Sequence, residues 1–509
     1  MNTHSANIPG TTADSSAPRA AVLIAAVLAG IGVLAGIATA VIGNMAGLRA
    51  IYYVFVLLLF TIGGLVTLTR REPLRFAFLA LLVCLPIAAA QIPPGRLELT
   101  LFHAAMVVLT IGMIGKKLSG STTAFESLFP TNALLLAALL IVPCIVFSQY
   151  PVWSAQVFTF ENLTIYVFLL FVLEELKRER GFERLVLVLS IVLIVMAIGL
   201  YIDHFLHINL SLRGSNLNQL TFSASGMPIY RAGGFFQDPQ KAGAYLGCMI
   251  TFLLLLSVRG RFRGMPMRYC VWGAIALSSG ALLTTISRSA LLASVAVSTM
   301  ALFLFNKWNA AVKVVILAGV MVFAVSIAVT PKEVWVNILP TAVASRLVNL
   351  NEDFDTRRKI WFDTWYMFAD HPLTGIGFGS FRRYLIETQP TVLDHYGLGA
   401  ETGIVYVPDQ PESGYLKILY EGGILGLIAA LLVAGDALRR AIPLMISKNT
   451  NSDARTEGIA ALAGIVTFAA TFVTLYTLSD PRVAAIFAFL LAVILHRSLQ
   501  LTQTAQKAS

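Results

Sequence analysis

The sequence predicts an all-α, polytopic membrane helix bundle, and three observations carry that expectation. Apolar residues make up 57% of the 509-residue chain and charged residues only 13%, with a mean hydropathy of +0.77. A water-soluble domain has no interior large enough to hide that much apolar surface. The apolar residues also fall into runs of about 17 to 25, the length that crosses a bilayer as a helix. Finally, one hydrophilic stretch from Pro331 to Ser413 interrupts these runs on a single face and ends in PDQPESGYL, just before the chain re-enters lipid. A passive pore or anchor has little need of such a segment, so chemistry at the outer membrane surface is the first expectation.

The elements follow in order. Residues 1–20 are polar, rich in small residues and read as a disordered cytosolic tail. The apolar run after them is too long for a cleaved signal sequence and is the first span. Spans are expected near 21–43, 51–69, 74–92, 98–114, 132–149, 160–176, 185–202, 241–258, 269–286, 289–306 and 314–330, then 415–438, 457–477 and 483–500. That is about 14 spans, with 12 as the alternative because 98–114 and 160–176 are weak enough to be re-entrant. The bundle is thus divided into 21–330 and 414–500 by an extracytoplasmic segment, 331–413, with a short cytosolic tail at 501–509.

Charge sets the orientation. With the amino terminus inside, the cytosolic connections hold clusters such as Arg70-Arg71, Lys116-Lys117, Lys177 to Arg184, Arg259 to Arg268 and Arg439-Arg440. The short outer loops around Arg49, Arg96 and Arg482 hold one cation each, as the positive-inside rule requires. The net charge of +10 is therefore a topological signal, and nucleic acid is not an expected partner. Both termini are expected in the cytoplasm. Cys84, Cys144, Cys248 and Cys270 all lie in apolar runs without metal-ligand spacing and read as inert thiols.

Two outer segments break the charge rule. The connection Asp203 to Gln240 carries Arg213 and Arg231 just before Lys241, and the tight turn TTISRSALLAS places Arg288 between two apolar runs. A cation at a helix end often snorkels to the headgroups. Holding an arginine near the membrane centre nevertheless costs about 2.5 to 3.5 kcal/mol, and these cations lack a topological reason to face outward, so anion recognition is the favoured reading. In the long outer segment, TRRKIWFDTWYMFAD (Thr356 to Asp370) sets Trp361, Trp365 and Phe368 on one face of an amphipathic interfacial helix. HPLTGIGFGSF then makes a tight turn before the helix-like FRRYLIETQ. Its glycines do not make a nucleotide loop, because no strand precedes them and no Lys-Ser/Thr pair follows. His371 reads as a turn stabiliser, and Pro390 to Ser413 as a mobile acidic loop.

Four strings together resemble the bacterial O-antigen ligase and Wzy-type polysaccharide polymerase superfamily: RAGGFFQDPQKAGAYLG (Arg231 to Gly247), LLTTISRSALLA (Leu282 to Ala293), RRKIWFDTWYMFADHPLTGIGFGSF (Arg357 to Phe381) and ESGYLKILYEGGILGLI (Glu412 to Ile428). The resemblance spans roughly residues 180 to 440. It implies an integral membrane glycosyltransferase of the GT-C type. Such an enzyme takes a glycan from a polyprenyl pyrophosphate carrier and transfers it to a saccharide acceptor hydroxyl at the outer leaflet of the bacterial inner membrane, on the periplasmic side. No cofactor, nucleotide sugar or metal is expected; membrane lipids and other envelope polysaccharide assembly proteins are the expected surroundings. Matching the motifs puts the pyrophosphate-binding arginines on Arg231 and Arg288.

One departure matters. Many ligases of this family have a His-Asn pair where this chain has Glu412-Ser413, a variation more in keeping with polymerases. A carboxylate desolvated at the mouth of an apolar bundle has its pKa raised toward the range of a general base. The expected catalytic set is therefore Glu412, Arg288 and Arg231, with Arg213, Gln237, Lys241, Arg382, Arg383 and Tyr415 as substrate contacts. Polymerisation is favoured over ligation to a lipid A core. A flippase or transporter is the rival class, disfavoured because the two halves show no inverted repeat and no matching broken spans; a non-catalytic scaffold is a third.

Overall fold

The computed structural model describes residues 72–88, 100–118, 129–207, 210, 220–222, 228–236, 238–262, 264–305, 350–388, 410–446 and 452–508. The expected spans 21–43, 51–69 and 314–330 lie outside these residues. The chain divides into two compact units, Met1–Leu81 and Leu82–Ser509. In the first, α1 (Pro73–Val83) begins on a proline suited to a helix amino terminus, and Arg75 pairs with Glu72 across its first turn at 3.0 Å.

Among its described residues the second unit is helical almost throughout. Its helices are α2 (Leu85–Ala88), α3 (Leu101–Leu118), α4 (Asn132–Val146), α5 (Pro151–Leu176), α6 (Gly181–Leu206), α7 (Pro239–Val258), α8 (Met265–Thr284), α9 (Arg288–Phe305), α10 (Leu350–Asp370), α11 (Phe381–Thr388), α12 (Gly414–Ile446), α13 (Ser452–Phe472) and α14 (Pro481–Ala508). Among the described residues seven helices, α3, α5, α6, α7, α9, α12 and α14, are long and apolar enough to cross a membrane. The all-α class stands, with one small addition that hydropathy did not signal: β1 (Leu220–Phe222) and β2 (Pro228–Tyr230) pair antiparallel, Leu220 opposite Tyr230. The span expected to start at 160 instead begins at Pro151 and passes through a single π-helical turn, Thr159–Leu163. The expected 74–92 span is interrupted at Cys84 and its described part stops at Ala88.

Helix starts follow local chemistry. Thr131 caps α4 by accepting from the Leu134 amide at 3.2 Å, and Asp238 caps α7 by accepting from Gln240 N at 2.8 Å, with Pro239 next in line. These side chains occupy acceptor-poor helix ends whose amides have no partner within the helix.

Helix α7 is the hub, packing against α8, α9 and α13. Its small residues permit close approach, as is usual between membrane helices: a methyl added at Gly243 would meet Ser287 Cβ at 2.6 Å. Deeper in, Thr467 and Ser298 both hydrogen-bond to the Thr251 hydroxyl at 3.2 Å, joining α13 and α9 to α7. At the far end of α7, Arg261 and Arg497 converge on the fully buried Glu457 at 2.7 and 2.5 Å. Arg261 therefore binds the ends of α7, α13 and α14 together.

Helix α12 is broken, and the break organises everything above the bundle. Gly423 has φ +61 and ψ −159, so the amides of Ile424 and Leu425 can no longer reach the carbonyls of Tyr420 and Glu421. The loop 371–379 replaces both lost bonds. Ile376 N and Gly377 N donate to Tyr420 O and Glu421 O at 3.0 Å each, while Ile424 N and Leu425 N donate to Pro372 O at 2.8 Å and Leu373 O at 3.1 Å. Cys144 Sγ donates to Gly422 O at 3.1 Å, and the Glu421 carboxylate accepts from Gly379 N at 2.9 Å. Around this seam Ile360, Met367, Ile376, Phe381, Tyr384, Leu385 and Tyr420 form one apolar cluster that fixes α10 and α11 on α12. All four cysteines are free.

Gly423→Ala should therefore destabilise the protein. The added methyl would meet Leu373 O at 2.4 Å, on top of about 1 to 3 kcal/mol for a residue with a side chain in this essentially glycine-only combination of φ and ψ. Thermal unfolding of the detergent-solubilised protein should show a lower midpoint than wild type.

Candidate active site

Arg231 is placed by two neighbouring elements. The buried Asp203, near the end of α6, accepts from Gly233 N at 2.8 Å and Gly234 N at 2.7 Å through one oxygen, and from the Tyr230 hydroxyl at 2.5 Å through the other. Gly234, at φ +59, lets consecutive amides point at one carboxylate. The strip is also stitched to the end of α8: Ala232 N donates to Thr284 O at 3.1 Å, and Arg231 Nε to Thr285 O at 3.3 Å. Helix α8 stops there, Ile286 takes φ +52, and α9 opens on Arg288. One turn thus both holds Arg231 and presents Arg288. Asp203 was missed as a functional residue in the sequence, because no pattern links residue 203 to amides thirty positions later.

A second brace lies beside it. Lys241 Nζ donates to Ser479 Oγ at 2.9 Å. The neighbouring Asp480 receives Arg482 Nε at 2.9 Å and Nη2 at 2.7 Å, the paired geometry in which guanidinium and carboxylate fit best. Burial alone would raise the Asp480 carboxyl, but Arg482 and, to a lesser degree, Lys241 more than offset it and hold it at about 2. Arg482 also donates to Phe235 O at 2.6 Å and lies 3.9 Å over the Phe236 ring. The arginine that hydropathy reads as a lone cation in a short loop is a buried cross-brace under the RAGGFF strip.

Glu412 stands just before α12. Its backbone is left-handed, φ +47, its carbonyl accepts from Trp361 Nε1 at 3.3 Å, and its Oε2 lies 3.8 Å from Arg357 Nη2. The side chain keeps 26% of its surface, yet the protein packed around the carboxyl strips enough water to push it up to about 7. Desolvation is the largest cause. Arg357, Arg231 and Lys241 pull the other way, and Asp238 adds to the rise. Glu412 therefore lies within electrostatic reach of Arg231 and Lys241, which come from segments about 170 to 180 residues earlier in the chain.

The remaining candidates are distributed. Arg382 is exposed on α11. Arg383 pairs with Glu387 at 2.9 Å and stacks 4.3 Å over Tyr150, and the Tyr415 hydroxyl donates to Ala469 O at 2.8 Å. Arg213 and Gln237 lie outside the described residues. Arg357 went unrecognised as a site residue because it reads, with Arg358 and Lys359, as the polar lead of an amphipathic helix. Among the described residues no three His, Cys, Asp or Glu side chains are gathered where a metal ion could sit. The arrangement joins cations that can hold an anion to a carboxyl that exchanges its proton near neutrality.

Residues 273–431 match the family described as O-Antigen ligase. The matched segment includes Arg288 and Glu412, while Arg231 precedes it. No curated protein matches the chain.

Two outcomes follow from this geometry. A pH-difference infrared titration should show a carboxyl with a midpoint near 7 that vanishes in Glu412→Gln. Asp203→Ala should orphan the Gly233 and Gly234 amides at about 1 to 3 kcal/mol for each unsatisfied buried group, lowering the thermal unfolding midpoint.

Proposed function

We propose that this chain, whose residues 273–431 match the family described as O-Antigen ligase, is a polymerase of cell-surface polysaccharide. It is a multi-pass membrane protein of the glycan ligase and polymerase kind. In the proposed reaction it takes a glycan from a polyprenyl pyrophosphate carrier at the outer leaflet of a bacterial inner membrane. It passes that glycan to a hydroxyl of an acceptor sugar, with both termini in the cytoplasm and the site facing the periplasm. The observation that carries the reading is Glu412, its carboxyl pushed up to about 7 by burial, within electrostatic reach of Arg231 and Lys241 beside the turn that bears Arg288.

Each residue has a part in the transfer. The donor diphosphate lies against Arg231 and Arg288, whose guanidinium groups remain charged in any surroundings and pair with phosphate oxygens. As the bond from the anomeric carbon to the phosphate oxygen breaks, the electron pair leaves with the diphosphate. Negative charge grows there, so fixed cations favour the transition state over the ground state. Glu412 takes the proton of the acceptor hydroxyl as its oxygen bonds to the anomeric carbon from the opposite side, giving inversion. Lys241, Arg213, Gln237, Arg382, Arg383 and Tyr415 form the proposed wider contact surface for donor and acceptor.

Ligation to a lipid A core is the second reading, favoured by the description of the matched family itself. Purified protein given a polyprenyl-linked repeat unit alone decides between them: longer lipid-linked chains mean polymerase, and dependence on added lipid A core means ligase. Arg231→Ala or Arg288→Ala should each lower the rate about a hundred- to a thousandfold, or about 2.7 to 4 kcal/mol, by analogy with loss of one oxyanion donor. Since the ionised carboxylate is the base, the wild-type rate should climb as pH rises through about 7. Glu412→Gln should lose both the rate and that rising limb; full activity in this variant would remove Glu412 from the reaction.

A further inference from the structure

Glu412 holds a backbone conformation that a glutamate does not choose unaided. Its φ of +47 costs about 1 to 2 kcal/mol in an L residue with a side chain, so neighbouring contacts must enforce it. Two side chains of α10 touch it. Trp361 Nε1 donates to its carbonyl at 3.3 Å, and Arg357 Nη2 lies 3.8 Å from its Oε2. Residues 357 and 361 are four apart and share one helix face. That face also buries Ile360, Thr364 and Met367, which makes α10 a firm support rather than a floating surface helix. A pair this exposed, 28% and 26%, adds little to stability; its consequence lies in where it holds the carboxylate.

We infer that Arg357 is a positioning residue of the site: together with Trp361 it clamps Glu412 in its left-handed conformation and orients the carboxylate that accepts the acceptor's proton. The inference rests on Glu412 being the base of the proposed transfer. The charged groups facing Glu412 come from three elements: Arg357 from α10, Asp238 and Lys241 at the start of α7, and Arg231 from the strip that precedes it. Of the three cations, Arg357 makes the largest contribution against burial. Without it, desolvation and Asp238 push the carboxyl further toward its neutral form, and less of it is ionised at neutral pH.

The test measures the Glu412 carboxyl by pH-difference infrared, identified by its loss in Glu412→Gln, and glycan transfer from a polyprenyl-linked repeat unit in parallel. Arg357→Gln and Arg357→Met, which keep much of the side chain's length, should raise the midpoint by about one pH unit, the lower end for loss of a close opposite charge. The transfer rate at pH 7 should fall about fivefold, since moving the midpoint from about 7 to about 8 takes the ionised fraction from about one half to about one eleventh. Arg357→Lys should restore the midpoint. Trp361→Phe should lower kcat with KM and the midpoint unchanged. A midpoint that stays in place in both neutral variants overturns the clamp, whatever the rate does. A midpoint that moves as expected in a protein that transfers no glycan supports the clamp and overturns the polymerase reading instead.

Discussion

The break in α12 at Gly423 and its repair by the loop 371–379 is the constraint on which the rest depends. Two helical hydrogen bonds are given up, and four backbone bonds to the loop take their place. Inside a membrane protein, unpaired backbone groups cost several kcal/mol each and are tolerated only where other protein groups satisfy them. The glycine string is therefore a structural plug, with Gly375, Gly377 and Gly379 all at positive φ so that backbone can approach backbone. A methyl on Gly375 would meet Glu421 O at 2.4 Å. Because this loop joins α10 to α11, repairing the helix also docks both of these helices, and with them Arg357 and Trp361 over Glu412.

Three carboxylates near the candidate site show how environment sorts one chemical group into different tasks. Asp203 spends its oxygens on two glycine amides and a tyrosine hydroxyl, fixing the strip that carries Arg231. Asp480 is locked to Arg482 and remains ionised far below neutrality. Glu412 is desolvated but only loosely paired, at 3.8 Å, so burial outweighs the nearby cations and pushes its carboxyl up to about 7. Separated environments for chemically similar acids are how a site divides structural from proton-transfer work.

Much of this was legible in the chain. Run lengths located α3, α4, α6 to α9 and the starts of α12 to α14 within a few residues but missed the first part of α5, and Trp361 with Phe368 marked the amphipathic helix α10. The four motifs pointed to the family that residues 273–431 match. Arg482 was misjudged as a loop cation because hydropathy cannot see a bidentate partner two residues away folding inward. Lys241 is hydrogen-bonded to Ser479, a partner so far along the chain that no spacing announces it. The π turn in α5 and the Leu220–Tyr230 pairing carry no periodic signal, the first because it inserts a residue within a helix, the second because the strands are only three residues long.

By itself the sequence determined the class: apolar segments too long and too numerous for a soluble interior can only be satisfied as membrane helices. It also determined which residues carry charge into that setting. Tertiary structure alone decided their meaning, because the pull on Glu412 depends on distances to Arg357, Arg231 and Lys241, groups up to 181 positions away along the chain. Coulomb interaction and desolvation act through space, and no spacing in the sequence encodes which helix ends meet.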